Sequence, residues 1–590
     1  MKQFLKFTLA SMLGIFLSFI LFFIAFLIFM TIVIAALQTK KIEEIPSDSV
    51  LEIQLNYLVP DRSYQSFSPI MSFPFVSAKK QIGLPELIDN IKKAKSDYRV
   101  KGLYLNLDNF VCGGIATVEA VRRELADFKK SGKFIVAYGD YISQKAYYMA
   151  SIANKIYIEP DGFLDFRGFS IETMFFKNTL DKLEIEPQIF QAGEYKSATE
   201  PFRLDKMSDA NRRQLTSLLN SVNIHMLREI VIARKISYDS LKLIADDFLV
   251  RFPEDAIKYK FADSLFYRDQ VIEQMKKLAG TEQKRKLNIT SIEDYTNVKA
   301  KDNSSSRNRI AVIYALGDIM HSSGNENTIG YENLPDAIRR AKEDEKVKAI
   351  VMRVNSPGGD ALTSDLIWRE VTLAKKQKPF IVSMGNVAAS GGYYISCAAD
   401  TIVAEPNTIT GSIGVFGILP NLKNFFKDKL GITFDRVNTG KYSDLFSINR
   451  PLTNDEKIIF QSAIDKIYKS FVEKVASGRK KSFDYVSKIA QGRVWTGLQA
   501  KENGLVDEIG GLNDAIKIAA AKAKVTQYSL VEYPSQKNLV QTLLEDFSAD
   551  AELSILKLKL GDNFIYYNRL RQFSNLKGIQ ARLPVDLNIY

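Results

Sequence analysis

Ser390 and Lys196 are the residues of this chain best suited by type and setting to covalent chemistry. Ser390 follows the apolar run FIVSM and opens AASGGYYISCAA, while Lys196 lies in GEYKSATEPF. A serine hydroxyl is a weak nucleophile and needs an adjacent base. The chain has only two histidines, His225 in a helix-like run (SVNIHMLREI) and His321 in a Ser-Gly-Asn loop. A Ser-His-Asp triad would need one of them, and neither lies in a segment that the two halves of the chain share. A neutral lysine is then the base at hand. Its pKa must fall from about 10.4 toward ~7–8, and burial can lower it. Such a fall means destabilising the ammonium by about 4 kcal/mol, which predicts a dry pocket around Lys196.

The case for the pair rests on a repeat. Ala137–Pro160 aligns without a gap against Ser383–Pro406, and GEYKSA from Gly193 aligns against GKYSDL from Gly440. Gln144 then faces Ser390, and Lys196 faces Ser443. Each half holds one member of the pair, so neither can assemble it alone; the two must meet across a repeat–repeat interface, within one chain or between chains. Leu84-Pro85-Glu86 likewise matches Leu334-Pro335-Asp336, and Gly113-Gly114 matches Gly358-Gly359. A period of about 245 residues is too long for a solenoid and reads as two copies of one domain.

The elements that must position these residues follow from the pattern. Short apolar strands (GLYLNL from Gly102, AIVMRV from Ala349) alternate with helix-length amphipathic runs, which predicts α/β units with largely parallel strands. At 590 residues the chain exceeds one core. The expected layout is a membrane anchor over 1–40, a first repeat with the lysine over 45–280, a polar linker over 281–308 (KAKDNSSSRNR), a second repeat with the serine over 309–533, and a tail over 534–590 without a functional reading. Asn355-Ser356-Pro357-Gly358-Gly359 follows a strand as a Gly-rich turn whose amides could bind an oxyanion; a plain tight turn is the other reading.

No charged residue lies between Lys6 and Lys40. That interval is long enough to cross a ~30 Å hydrocarbon core, which takes about 20 residues. It exceeds the apolar region of about 7–15 residues in a signal peptide, so the anchor is expected to stay uncleaved. Lys2, Lys6 and the amino terminus before the span, against Lys40 and Lys41 after it, orient the N-terminus inside and the body in an extracytoplasmic space. The net charge of +12 suits anionic lipid headgroups, and solvated lysine faces account for it equally well. No basic-aromatic patch points to nucleic acid. Histidine and cysteine are too scarce for a zinc site, two cysteines make no disulfide framework, and neither a G-x-S-x-G elbow nor a Walker A loop is present.

VNSPGGD (Val354–Asp360), AASGGYYIS (Ala388–Ser396), ITGSIGVFG (Ile409–Gly417), AGEYKSATEPF (Ala192–Phe202) and the run from Trp495 to Gly511 together resemble the long form of the signal peptide peptidase A (protease IV) family. These are membrane-anchored Ser-Lys peptidases related in fold to the Clp and crotonase families. The resemblance implies two tandem Clp/crotonase-like α/β repeats behind one transmembrane helix. It implies Ser390 as nucleophile, Lys196 as general base, Gly359 as an oxyanion-hole amide and Ser443 as a hydrogen-bond support for the lysine, with no metal or cofactor. It also implies cleavage of remnant signal peptides and other apolar peptides, a homo-oligomer such as a tetramer, and the bacterial inner membrane with a periplasmic body. The residues alone leave open an acyl-CoA enzyme of crotonase type, which shares the oxyanion-hole logic, or a non-catalytic scaffold that retains the fold.

Overall fold

The computed structural model describes residues 2–38, 44–63, 81–282, 284–298, 306–534, 556, 559–561 and 578–583. Lys2–Gln38 forms one helix, whose apolar window Lys6–Phe26 is long enough to cross a membrane and is unburied among the described residues.

The first unit is built on a six-stranded parallel sheet. Its strands are β1 (Ser49–Ile53), β2 (Val100–Asn106), β3 (Phe134–Ile142), β4 (Lys155–Leu164), β6 (Ser264–Leu265) and β7 (Ile289–Ser291), in the order β6-β4-β3-β2-β1-β7. The inner strands are near-continuous apolar runs because helices cover both faces. Leu84–Ser96 and Ile115–Lys129 pack on one face. Arg268–Ala279 covers the other, with Val271 and Met275 against Val50, Tyr104 and Val136.

The second unit repeats this order. Its sheet contains β8 (Arg309–Leu316), β11 (Val347–Ser356), β13 (Phe380–Ala389), β14 (Thr401–Ala404), β18 (Glu508–Ile509) and β19 (Ser529–Tyr533), arranged β18-β14-β13-β11-β8-β19. Two further strands, β15 (Ile409–Gly411) and β17 (Val494–Thr496), extend it beside the far end of β13. Leu512–Lys522 covers the face equivalent to that of Arg268–Ala279. The topological match makes β7 the counterpart of β19. The stretch expected to be linker therefore holds the last strand of the first unit. Ile292, Tyr295 and Val298 are buried in that unit's core, because β1 would otherwise present an open edge.

A third sheet joins the two units. The second unit supplies β9 (Asp318–Ile319), β10 (Thr328–Ile329), β12 (Gly358–Asp360) and β16 (Val415–Asn421). The first unit supplies β5 (Glu186–Ala192), antiparallel to β16 from Ala192↔Val415 to Glu186↔Asn421. The tail supplies β20 (Ile579–Arg582), and the sheet runs β10-β9-β12-β20-β16-β5. Polar contacts fix the units against each other. Asp61 accepts from Arg353 at 2.7 Å, and Arg123 grips Glu405 with two bonds of 2.6 and 2.8 Å. Asn386 donates to the Thr117 hydroxyl at 2.8 Å.

Candidate active site

Pairing of β5 with β16 carries the chain out of the first unit, and Lys196 follows four residues after β5 ends. The loop is held at several points. Tyr195 N–H donates to Gln491 O at 2.8 Å, and Gln214 Nε2 donates to Tyr195 O and to Ser197 Oγ at 3.0 and 3.1 Å. Gly492 (φ 77°) passes so close that a Cβ there would lie 2.7 Å from the Lys196 backbone, so the lysine enters against bare glycine. Its side chain is 0 % exposed.

Ser390 sits between β13 and the short helix Gly391–Ser396 at φ 56°, ψ −114°. A non-glycine residue held there costs on the order of 1–3 kcal/mol. Its N–H donates to Gly411 O at 2.8 Å, which ties the turn to β15. The strain turns the hydroxyl toward Lys196, and Nζ and Oγ stand 2.7 Å apart within one chain. Nζ also lies 3.0 Å from Ser412 Oγ and 3.2 Å from Ser412 O. Burial alone, with no neighbouring charge, pushes the Lys196 ammonium well below the ordinary lysine range.

Gly359 (φ 154°) lies on β12, pressed against β9: a Cβ there would stand 1.9 Å from Ile319 O. A Cβ on Gly358 (φ 94°) would stand 2.6 Å from Gly391 N, so this turn and the Ser390 turn meet at bare backbone.

Residues 127–282 and 372–526 each match Peptidase family S49. The first span contains Lys196 and the second Ser390. This chain belongs to peptidase family S49.

Among similar S49 relatives are Protease 4 of Salmonella typhi, 36% identical over 78% of this chain and 76% of that one, and Protease 4 of Haemophilus influenzae, 32% identical over 92% and 90%. The chloroplastic serine protease SPPA of Arabidopsis thaliana is 35% identical over 85% of this chain and 74% of that one. The S49 chain is accordingly a serine protease with two tandem family repeats. Membership in a peptidase family favours this over the acyl-CoA enzyme and the scaffold.

One expected contact is corrected. Ser443 does not reach the lysine: it is exposed, its hydroxyl donates to Gly440 O at 3.0 Å, and the Gly440 N–H donates back to it. Ser412 stands beside Lys196 instead. The alignment gave Ser443 the place equivalent to Lys196, but the lysine segment has crossed to the other unit, so its counterpart points elsewhere. Ser412 was visible in ITGSIG as a hydroxyl between glycines directly after a strand. Gln214, far off in a helical run, carried no comparable signal. Neither histidine contacts the pair among the described residues. His225 Nε2 lies 3.2 Å from Glu119, and His321 Nδ1 is 3.7 Å from Asp360. Cys112 and Cys397 are buried free thiols.

Proposed function

We propose that this S49 serine protease is a membrane-anchored endopeptidase that cleaves remnant signal peptides after their release, with Ser390 as nucleophile and Lys196 as general base. The single observation that carries this is the 2.7 Å approach of Lys196 Nζ to Ser390 Oγ in a site where both side chains are buried. A neutral amine has two N–H donors and one lone pair. Nζ lies within hydrogen-bond distance of Ser390 Oγ, Ser412 Oγ and Ser412 O; as a neutral amine it would turn its lone pair to the Ser390 hydroxyl and its two N–H groups to the two Ser412 oxygens. An ammonium would have no lone pair for the task.

Attack of Ser390 Oγ on a peptide carbonyl then passes its proton to Lys196. The Gly359 amide stabilises the oxyanion, and the lysine returns the proton to the leaving amine. Water, deprotonated by the same lysine, releases the acyl group. Ser412 orients the amine. The Lys2–Gln38 helix is the anchor, with its N-terminus cytoplasmic in the bacterial inner membrane and the body periplasmic. Signal peptides suit a site fixed at the membrane they leave.

The enzyme is read as a homo-oligomeric ring, a tetramer being one such closure. In each chain the first unit sends β5 and Lys196 onto the second. The matching segment of the second unit exposes Ile432, Phe434, Val437 and Phe446. The first unit of a neighbouring chain is the surface it fits. Phe434→Asp is expected to lower the mass by light scattering; an unchanged mass would exclude this contact.

Purified full-length protein incubated with a synthetic signal peptide tests the chemistry. Ser390→Ala should cost about 10⁶ in kcat, and Lys196→Met about 10²–10⁴. Unchanged cleavage by the Lys196→Met protein would remove lysine as the base.

A further inference from the structure

Besides Lys196, the first unit sends a second charged side chain toward the nucleophile strand. Asp61 follows β1 and is buried at the seam between the units. Its Oδ1 accepts from Arg353 Nε at 2.7 Å and lies 2.7 Å from Nη2 of the same guanidinium. Its Oδ2 accepts from the Asn355 side-chain amide. Arg353 is buried too, and donates to Ser383 Oγ at 3.0 Å and Met384 O at 2.8 Å. Both Arg353 and Asn355 stand on β11, just before the Pro357–Gly359 turn.

Asn355 joins two segments of the site. Between the pairs Val354↔Met384 and Ser356↔Ala388, β11 has one residue and β13 has three. The extra residues form a bulge, which leaves ladder groups unpaired and re-aims the strand. Val387 N–H is one such donor, and Asn355 Oδ1 accepts it at 3.1 Å. Gly385 makes room, since a Cβ there would stand 3.0 Å from the Asn355 side chain. Val387 leads through two alanines to Ser390, and Asn355 leads through the turn to Gly359. One amide therefore sets the nucleophile strand against the oxyanion turn.

An asparagine amide has one accepting end and one donating end. It can take the Val387 N–H only with its NH2 turned away. A carboxylate, which only accepts, selects that orientation. The first unit meets the same need without a partner. Asp108 follows GLYLNL as Asn355 follows AIVMRV, and its Oδ1 accepts directly from Asp140 N–H at 3.0 Å. Both units place an acceptor at the bend after β2 or in β11; only the second needs another residue to aim it.

We propose that Asp61 is a positioning residue for peptide cleavage, fixing the Asn355 amide so that Ser390 and the Gly359 turn hold their spacing. The proposal rests on the peptidase reading of Ser390 and Lys196. It makes the site depend on docking of the first unit twice, through the base and through this carboxylate.

Exchanging the two groups tests it, in full-length protein with a fluorogenic signal peptide. In Asp61→Asn the new amide turns its oxygen to the Arg353 guanidinium and its NH2 to Asn355. Asn355 must then flip and set its own NH2 against Val387 N–H. A misplacement of about 1 Å costs about 10²-fold, so kcat should fall about ten- to hundredfold with KM within about twofold. Asn355→Asp alone puts two carboxylates face to face and should be comparably slow. In the double variant Asp61→Asn, Asn355→Asp, the new amide bonds Arg353 through its oxygen and the new carboxylate through its NH2. That carboxylate accepts from Val387, as Asp108 does from Asp140, and kcat should return to within about threefold of wild type. Circular dichroism at the assay temperature confirms that each protein is folded. Where Asp61→Asn fails to fold, the double variant decides alone. A folded Asp61→Asn protein with wild-type kcat would overturn the proposal, because a purely structural role lowers the melting temperature only. So would a folded double variant as slow as Asn355→Asp. A wild-type protein no faster than Ser390→Ala would instead overturn the peptidase reading, and this role with it.

Discussion

The two units share one strand order and differ at one turn. In the second unit the turn after β13 places Ser390 at a strained positive φ, with its hydroxyl on Lys196. In the first unit Gln144 occupies the equivalent place as the first residue of an ordinary helix capped by Ser143. Its Oε1 accepts from the amides of Arg167 and Gly168 at 3.0 and 2.8 Å. Those residues align with Ile413 and Gly414, which adjoin the lysine support Ser412. The glutamine thus bonds to backbone where the second unit admits an amine. Under the proposed chemistry, the second unit keeps strain at its nucleophile where the first unit has relaxed into an ordinary capped helix, a contrast expected where strain is retained for function.

The comparison breaks most visibly if the pair can be shared between chains. Because the lysine crosses within one chain, a mixture of Ser390→Ala and Lys196→Ala proteins should stay as inactive as either alone, about 10² or more below wild type. Recovery of about a quarter of the activity, the share of intact inter-chain pairs in randomly mixed assemblies, would place the contact between chains. A smaller effect sharpens the role of Ser412: Ser412→Ala should lower kcat about tenfold at unchanged KM, whereas Ser443→Ala should leave both within about twofold. The reverse ranking in steady-state kinetics would restore the alignment's choice.

Stability separates the units next. Below the ordinary lysine pKa the unfolded chain carries a proton that buried Lys196 does not. Wild-type stability should therefore rise with pH until the unfolded lysine titrates, and be flat below the folded value. Lys196→Met removes that cost, so it should be more stable by about 1–2 kcal/mol near neutrality and lack this slope. Equal or lower stability in urea melts at two pH values would contradict the buried neutral amine. Gln144→Ala should do the opposite, losing about 1–2 kcal/mol by stranding two amides while leaving kcat/KM unchanged.

Much of this was legible in residue pattern. Punctuation in register foretold two α/β copies, and the split of serine from lysine foretold that they meet across units. What escaped notice depended on where segments travel. The polar run after Gly280 hides β7, whose ITS has too few residues to show a period. Ser443 looked equivalent to Lys196 because alignment reports ancestry, not the crossing that β5 makes onto β16. The tail's IQAR offered four residues without turn signals, and only the gap between β12 and β16 gives it meaning.

The most direct test of the neutral buried base is the pH dependence of kcat/KM for a signal peptide. The expected profile rises with a single ionisation well below the ordinary lysine range and stays the same in a His225→Gln, His321→Gln double variant. A profile that rises only in the ordinary lysine range, or one abolished by loss of the histidines, would contradict it.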